Sequence, residues 1–524
     1  MKTLRKSKKW FLLIALLSMM LVVSQAIAAE NGSDNDVVHL QILTVNDFHG
    51  ALAETGTNIG AAKLVQLLND IKTQDPDGTL MMSAGDMFQG TPDSNLLYGK
   101  TVADVMNYTG FDVMTLGNHE FDWGIDILKQ CIAQSGFPYV CANLLDKRTG
   151  KIAEFVRPYT ILERNGVKIG VIGIATPETA IKTNPKMIAD YTFADPSKVV
   201  NALVPELKQQ GVDIIVVLTH LASSLDGDGN IRGEAAALAV QTKGIDAIVS
   251  GHSHQIVYGK VNDIPIVQAG YNGRAVGKIE LLFNLATHEV ESSAASVLLP
   301  YPGLQADSGV REMLDQAQKE IIPVKSIVVG QTVHGLSHDR YARTETLLGQ
   351  WVTDTMRQAV HGDIAFQNIG GIRTGIPAGT ITMGELYEAI PFDNTLYTVD
   401  MTGEQIFKVL QYGLMNDKVS MLQYSGIKVS YDAEPQGGRI VAVALADGTP
   451  IRPGKTYKVV TNDFMAAGGD GFTMFKEGKN LYNTCIPLRD IVASAIRNQK
   501  TIEFNGDDRF EIRHFSQEQQ KKAA

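Results

Sequence analysis

Asp47-Phe48-His49, Gly85-Asp86, Gly117-Asn118-His119-Glu120, His220 and Gly251-His252-Ser253-His254 are the parts of this sequence whose side chains could do chemistry. Each follows an apolar, strand-like run: 39–45, 79–84, 113–116, 213–219 and 247–250. Strands of one sheet end side by side, so these distant residues are expected to converge just past the strand ends. Two Asp, one Asn and five His would then share one locale. Asp47 and His49 are two apart, which on an extended strand end points both to the same side, and His252 and His254 repeat that spacing. Carboxylate plus imidazole suits a divalent ion such as Zn, Mn, Fe or Co. Asp86 could bridge two ions with its two oxygens, and Asn118 offers a neutral amide oxygen. Two ions about 3.5–4 Å apart would clamp a phosphate and draw hydroxide from water at neutral pH.

The elements that must position these residues come in blocks. Residues 36–298 alternate apolar strands with helix-like stretches such as 61–71 and 197–209, the pattern of a layered α/β domain. Pro300, Pro302 and Gly303 break it, and a charged helical stretch at 310–320, ending before Pro323, reads as part of a linker spanning 299–328. A second domain is expected over 329–513, with helices at 347–360 and 403–414, strands at 426–431, 440–445 and 457–462, and glycine-rich corners at 368–373 and 467–472. The tail, 514–524, is polar. Residues 1–28 have five basic residues, an apolar core from Trp10 to Val23 and Ala26-Ile27-Ala28, which reads as a cleavable secretory signal. No later stretch is apolar enough to span a membrane. A net charge of −10, more acidic without the leader, argues against binding of nucleic-acid polymers and favours a small-molecule partner. Three cysteines exclude a disulfide framework; Cys131 and Cys141 are close enough to pair, or are two buried thiols.

In order, Asn46-Asp47-Phe48-His49-Gly50, Gly85-Asp86, Gly117-Asn118-His119-Glu120-Phe121-Asp122, Thr219-His220 and Gly251-His252-Ser253-His254 resemble the motifs of calcineurin-like dinuclear metallophosphoesterases. Within these the chain is similar to the 5'-nucleotidase family. The resemblance implies a four-layer α/β/β/α catalytic domain and a C-terminal α+β substrate-binding domain joined by a helical linker. It implies one ion on Asp47, His49, Asp86 and His254, a second on Asp86, Asn118, His220 and His252, and a catalytic dyad of His119 and Asp122. His119 follows a candidate ligand directly, so it must lie beside the metals, and Asp122 can fix its tautomer.

The segment Asn368-Ile369-Gly370-Gly371-Ile372-Arg373 resembles the family's substrate-domain motif, in which glycines admit the ligand and Arg373 forks onto phosphate. Arg340 and Arg343 stand where the family places phosphate-facing arginines. Phe392 and Phe464 match an aromatic clamp for a nucleobase, and Asp470 matches a residue bonded to ribose hydroxyls. The expectation is an exported, periplasmic or cell-surface enzyme that hydrolyses nucleoside 5'-phosphates with two divalent ions. Di- and triphosphates or UDP-sugars remain open as substrates. The rival readings are a 2',3'-cyclic-nucleotide phosphodiesterase with 3'-nucleotidase activity on the same centre, and a non-catalytic nucleotide-binding protein.

Overall fold

The computed structural model describes residues 36–513 apart from 57, 343–344, 416–421 and 433–438. The expected leader, the polar tail and Arg343 fall outside these residues.

Two six-stranded mixed sheets lie face to face in the N-terminal half. The first runs in the order Glu289–Leu298, Val276–Asn284, Val37–Val45, Thr79–Ser83, Val113–Thr115, Tyr139–Val140. The second runs Ile256–Val261, Ile264–Ala269, Ala247–Gly251, Ile214–Ala222, Val167–Ala175, Tyr159–Arg164. Their central strands are parallel neighbours: Val37–Val45 with Thr79–Ser83, and Ile214–Ala222 with Ala247–Gly251. Alternation along each strand decides which layer a side chain enters. Leu40 and Ile42 pack between the sheets with Val216, Leu218 and Val249, whereas Leu43 and Val45 join the helix Gly60–Lys72 on the outside. Likewise Ile215 and Val217 face outward onto the helices Pro196–Gln209 and Glu234–Gln241. Burial on both faces explains why these strands read as unbroken apolar runs. The layering is α/β/β/α.

Three expectations need correction here. The five strands do not share one sheet: Asp47, Asp86 and Asn118 follow strands of the first, while His220 and His252 come from the second. The site is therefore a seam between sheets, which no single-strand pattern reveals. His220 lies within the strand Ile214–Ala222 rather than past its end. The helix after the linker prolines runs Ser308–Lys325, through Pro323, which gives up one backbone hydrogen bond two residues before the helix ends. Asp307 caps its start by accepting from the Val310 amide.

That helix is pinned rather than free. Lys325 Nζ and Gln318 Nε2 both donate to Asp93 Oδ1, at 2.6 and 2.9 Å. The C-terminal half is built on a five-stranded sheet ordered Gln423–Ser425, Ile364–Gln367, Thr456–Asn462, Thr395–Thr402, Lys479–Pro487, with a separate apolar core on each face. Cys131 and Cys141 are buried and unpaired. Among the described residues no helix is long and apolar enough to cross a membrane.

At the end of the first sheet remote from the chemistry, His39 Nδ1 lies 2.7 Å from Asp75 Oδ2 and its Nε2 3.5 Å from Glu280 Oε1, with Lys278 on the far side of Glu280. Glu280 first, and then Asp75, raise the His39 pKa above its ordinary 6.5 in spite of partial burial. A raised folded value means this stabilisation is complete below pH 6.5 and is lost as pH rises through the folded value. His39→Gln should therefore lower the melting temperature more at pH 5.5 than at pH 8.5, as calorimetry at the two pH values would show.

Candidate active site

Asp47 and Asp86 are fully buried at the seam, and such charges demand compensation. It comes from imidazoles. His254 Nε2 lies 3.3 Å from Asp47 Oδ1, and His220 Nε2 lies 3.0 Å from Asp86 Oδ2. Burial alone would raise the Asp47 carboxyl, but His254 and His220 hold it down at about 2. Burial likewise works against charge on His220, and Asp86 reverses that, raising it to about 10.

The candidate ligands gather in overlapping sets: Asp47, His49 and His254; Asp86, His220 and His252; and His49, Asp86 and His119. The donor set fits divalent ions on three counts. His49 Nδ1 and His220 Nδ1 donate to the carbonyls of Gln89 and Ala84, at 3.0 and 2.7 Å, which turns each Nε2 toward the site, where a metal ion could take the place of a proton. Next, His49 Nε2 and His254 Nε2 stand 3.0 Å apart, as co-ligands do. Finally, buried Asn118 Oδ1, His220 Nε2 and His254 Nδ1 are left without hydrogen-bond geometry to any partner among the described residues.

The backbone at these positions corrects another expectation. Asp47, His49, Asp86, His252 and His254 are not on extended strand ends; their φ values are 49°, 51°, 56°, 74° and 60°. Left-handed backbone at a non-glycine residue is strained, about 1–3 kcal/mol each, and persists only where surrounding structure imposes it. Here it turns each chain sharply off its strand so that side chains from two sheets meet. Gly117 is needed for the same convergence, since a Cβ there would stand 2.1 Å from Asp86 Oδ1.

Glu120 was not singled out by sequence reasoning, although it lies inside the quoted motif. It is buried, and its carboxylate accepts from the amides of Asp86, Met87 and Gly117 at 2.7, 2.8 and 2.7 Å. It thus ties together the two loops that carry Asp86 and Asn118. Burial, and then Asp86, push its carboxyl up to about 7, while the Asp86 and Met87 amides pull the other way. The only sequence signal was an acidic residue wedged between Asn118-His119 and an apolar Phe121.

His119 Nδ1 lies 2.6 Å from Asp122 Oδ2, and Asp122 Oδ1 accepts from the Thr183 hydroxyl at 2.8 Å. The other ring nitrogen, Nε2, accepts from Arg373 Nη2 at 3.0 Å. Arg373 belongs to the C-terminal half, so that half reaches the His119–Asp122 pair directly. Its guanidinium is enclosed; burial, and then the nearby Arg340 charge, lower its pKa to about 9, an imbalance an anion would relieve. Phe392 stacks on His119 with ring centres 5.8 Å apart, and Arg373 Cζ sits 5.0 Å from the Phe392 ring.

A cavity of about 690 Å³ opens between the halves. It is lined by Asp86, Asn118, His119, Asp122, His252 and His254 on one side and by Arg340, Asn368, Arg373, Phe392, Phe464 and Asp470 on the other. Asn368 Nδ2 donates to Asp470 Oδ2 at 3.0 Å. The structure thus brings together every described residue expected to act.

Two facing sheets whose seam gathers Asp, Asn and His ligands beside a His–Asp pair define the class of calcineurin-like metallophosphoesterases. Residues 40–256 match the family model described as calcineurin-like phosphoesterase, and residues 328–477 match that of the 5'-nucleotidase C-terminal domain. A 5'-nucleotidase precursor from Thermus thermophilus superposes with a TM-score of 0.79 at 30% identity, covering 91% of this chain and 99% of its own. A 5'-nucleotidase of Vibrio cholerae is 28% identical over 95% of this chain and 98% of that protein. Endonuclease YhcR of Bacillus subtilis is 33% identical over 82% of this chain, which spans only 37% of that relative's length. The chain belongs to the 5'-nucleotidase family.

Outer-shell partners of metal ligands typically contribute 10–100-fold to metal affinity, and Glu120→Gln should weaken metal retention by about that range. Metal content per chain after dialysis against graded chelator would check this, with wild-type content as the contrary result.

Proposed function

We propose that the protein is an exported hydrolase of nucleoside 5'-monophosphates, releasing nucleoside and orthophosphate. One observation supports this above the others: Arg373, in the motif Asn368–Arg373 of the C-terminal half, donates to His119 Nε2 in the catalytic half. A phosphate group would enter where these two meet, and the aromatic residues Phe392 and Phe464 line the same cavity beyond it.

In this reading Asp47, His49, Asp86 and His254 hold one divalent ion, and Asp86, Asn118, His220 and His252 a second. Such ions, of the Zn, Mn, Fe or Co class, would neutralise phosphoryl oxygens and acidify bound water. Asp122 accepts a hydrogen bond from His119 Nδ1–H and so fixes which nitrogen faces the substrate. Burial opposes charge on His119 but Asp122 outweighs it, so the ring can carry a second proton, on Nε2, once Arg373 lets go, and Nε2–H then stabilises or protonates the departing ribose oxygen. Arg373 and Arg340 take phosphoryl oxygens, and Arg373 gives up its bond to His119 as the phosphate arrives. Arg343 is assigned to the same anion by family resemblance alone. Phe392 and Phe464 stack on the base, tolerant of its identity because every base has a π-face. Asn368 and Asp470 hold the sugar. The signal-like residues 1–28 support export to the periplasm or cell surface.

Chromatographic product analysis with AMP, ATP, UDP-glucose, 3'-AMP and 2',3'-cyclic AMP, with Mn or Zn supplied, tests the reading. Adenosine and phosphate should appear fastest from AMP; faster cleavage of the 3' or cyclic substrates would transfer the function to the phosphodiesterase reading. His119→Ala should keep its metals yet lose about 10²–10⁴-fold in turnover, the usual contribution of a positioned acid–base group. Wild-type turnover in that metal-loaded variant would reject the dyad.

A further inference from the structure

The segment from Glu178 to Lys186 carries none of the roles above, yet it runs along the cavity between the halves. Lys182 Nζ lies 3.0 Å from Asp470 Oδ1. The next residue, Thr183, donates to Asp122 Oδ1 at 2.8 Å, and Asn184 Nδ2 donates to Asp463 Oδ2 at 2.8 Å. Lys186 Nζ donates to the Tyr397 hydroxyl. This strap is therefore tied to the dyad on one side and to the residue preceding Phe464 on the other.

Among the described residues lining the cavity, Lys182 is the one lysine or arginine that the catalytic half contributes. Holding an ammonium there has a cost, because burial works against its charge; Asp470 more than offsets it. Asp470 is itself held under constraint. Its φ is 51°, and the Tyr412 hydroxyl donates to its carbonyl at 2.8 Å. Its Oδ2 accepts from Asn368 and its Oδ1 meets Lys182. A carboxylate offers about four lone-pair sites, so both oxygens retain one for a ligand. Two acceptors side by side, with their direction fixed from two domains, match the paired O–H donors of a vicinal diol.

We propose that Lys182 is a positioning residue that sets sugar specificity: from the catalytic half it holds the Asp470 carboxylate in the orientation that receives the vicinal hydroxyls of a substrate's ribose. Sugar recognition is then complete only when the two halves meet, since neither half carries both members of the pair. The inference rests on the nucleotidase reading and on Asp470 as the ribose acceptor.

The test measures KM and kcat of the full, metal-supplied enzyme on AMP and on 2',3'-dideoxy-AMP. Wild type should prefer AMP, and Asp470→Ala should lower that preference more than any change at Lys182, Asn368 keeping the remainder. Lys182→Met should reduce that preference about tenfold, through KM rather than kcat, the size expected for one charge-assisted hydrogen bond. Lys182→Arg should restore most of it. No turnover of AMP by wild type would overturn the nucleotidase reading and this inference with it. A preference undiminished in Asp470→Ala would overturn the ribose assignment. A preference lowered in Asp470→Ala but unchanged in Lys182→Met would overturn the role of Lys182 alone. An equal rise in KM for both substrates would also overturn it, reducing Lys182 to an interdomain latch.

Discussion

Two carboxylates that must stay charged while fully buried, Asp47 and Asp86, govern the architecture of the catalytic half. An isolated buried carboxylate would take up a proton, so each needs positive partners within a few ångströms. The second sheet supplies His220 and His254 across the seam, and the Ala84 carbonyl of the first sheet orients His220 in return. Five left-handed residues store strain to make the loops converge, and close packing between the sheets keeps that strain from relaxing. Glu120 serves the same end by tying the loop of Asp86 to that of Asn118.

The second half of the molecule meets this centre with cations. Arg373 reaches His119, Arg340 stands beside it, and the linker helix is anchored to Asp93 so that the halves share one wall. Buried Asp86 on one side of the cavity thus stands opposite Arg340 and Arg373 on the other.

Much of this was legible in the sequence because strand ends carry short, rigid motifs. The apolar runs placed the strands within a few residues, and the motif order named described residues that the fold gathers at the seam and around the cavity. What escaped were relationships across distance. Glu120 looked like one more polar residue, because two of its three partners are backbone amides of a loop more than thirty residues away. Lys182 and Thr183, at the end of the short helix Thr179–Lys182, gave no sequence signal, since neither Asp470 nor Asp122 is near them in sequence.

The sequence by itself determined the chemical identity of the donors, their order and the apolar runs that carry them, because composition and spacing are local properties. Only the tertiary structure decided that the strands divide between two sheets, that the ligand backbones turn left-handed, and that a strap from one half meets a carboxylate of the other. Those outcomes depend on long-range packing, which sets where distant segments lie and which conformations they can be held in, and no window of residues contains that information.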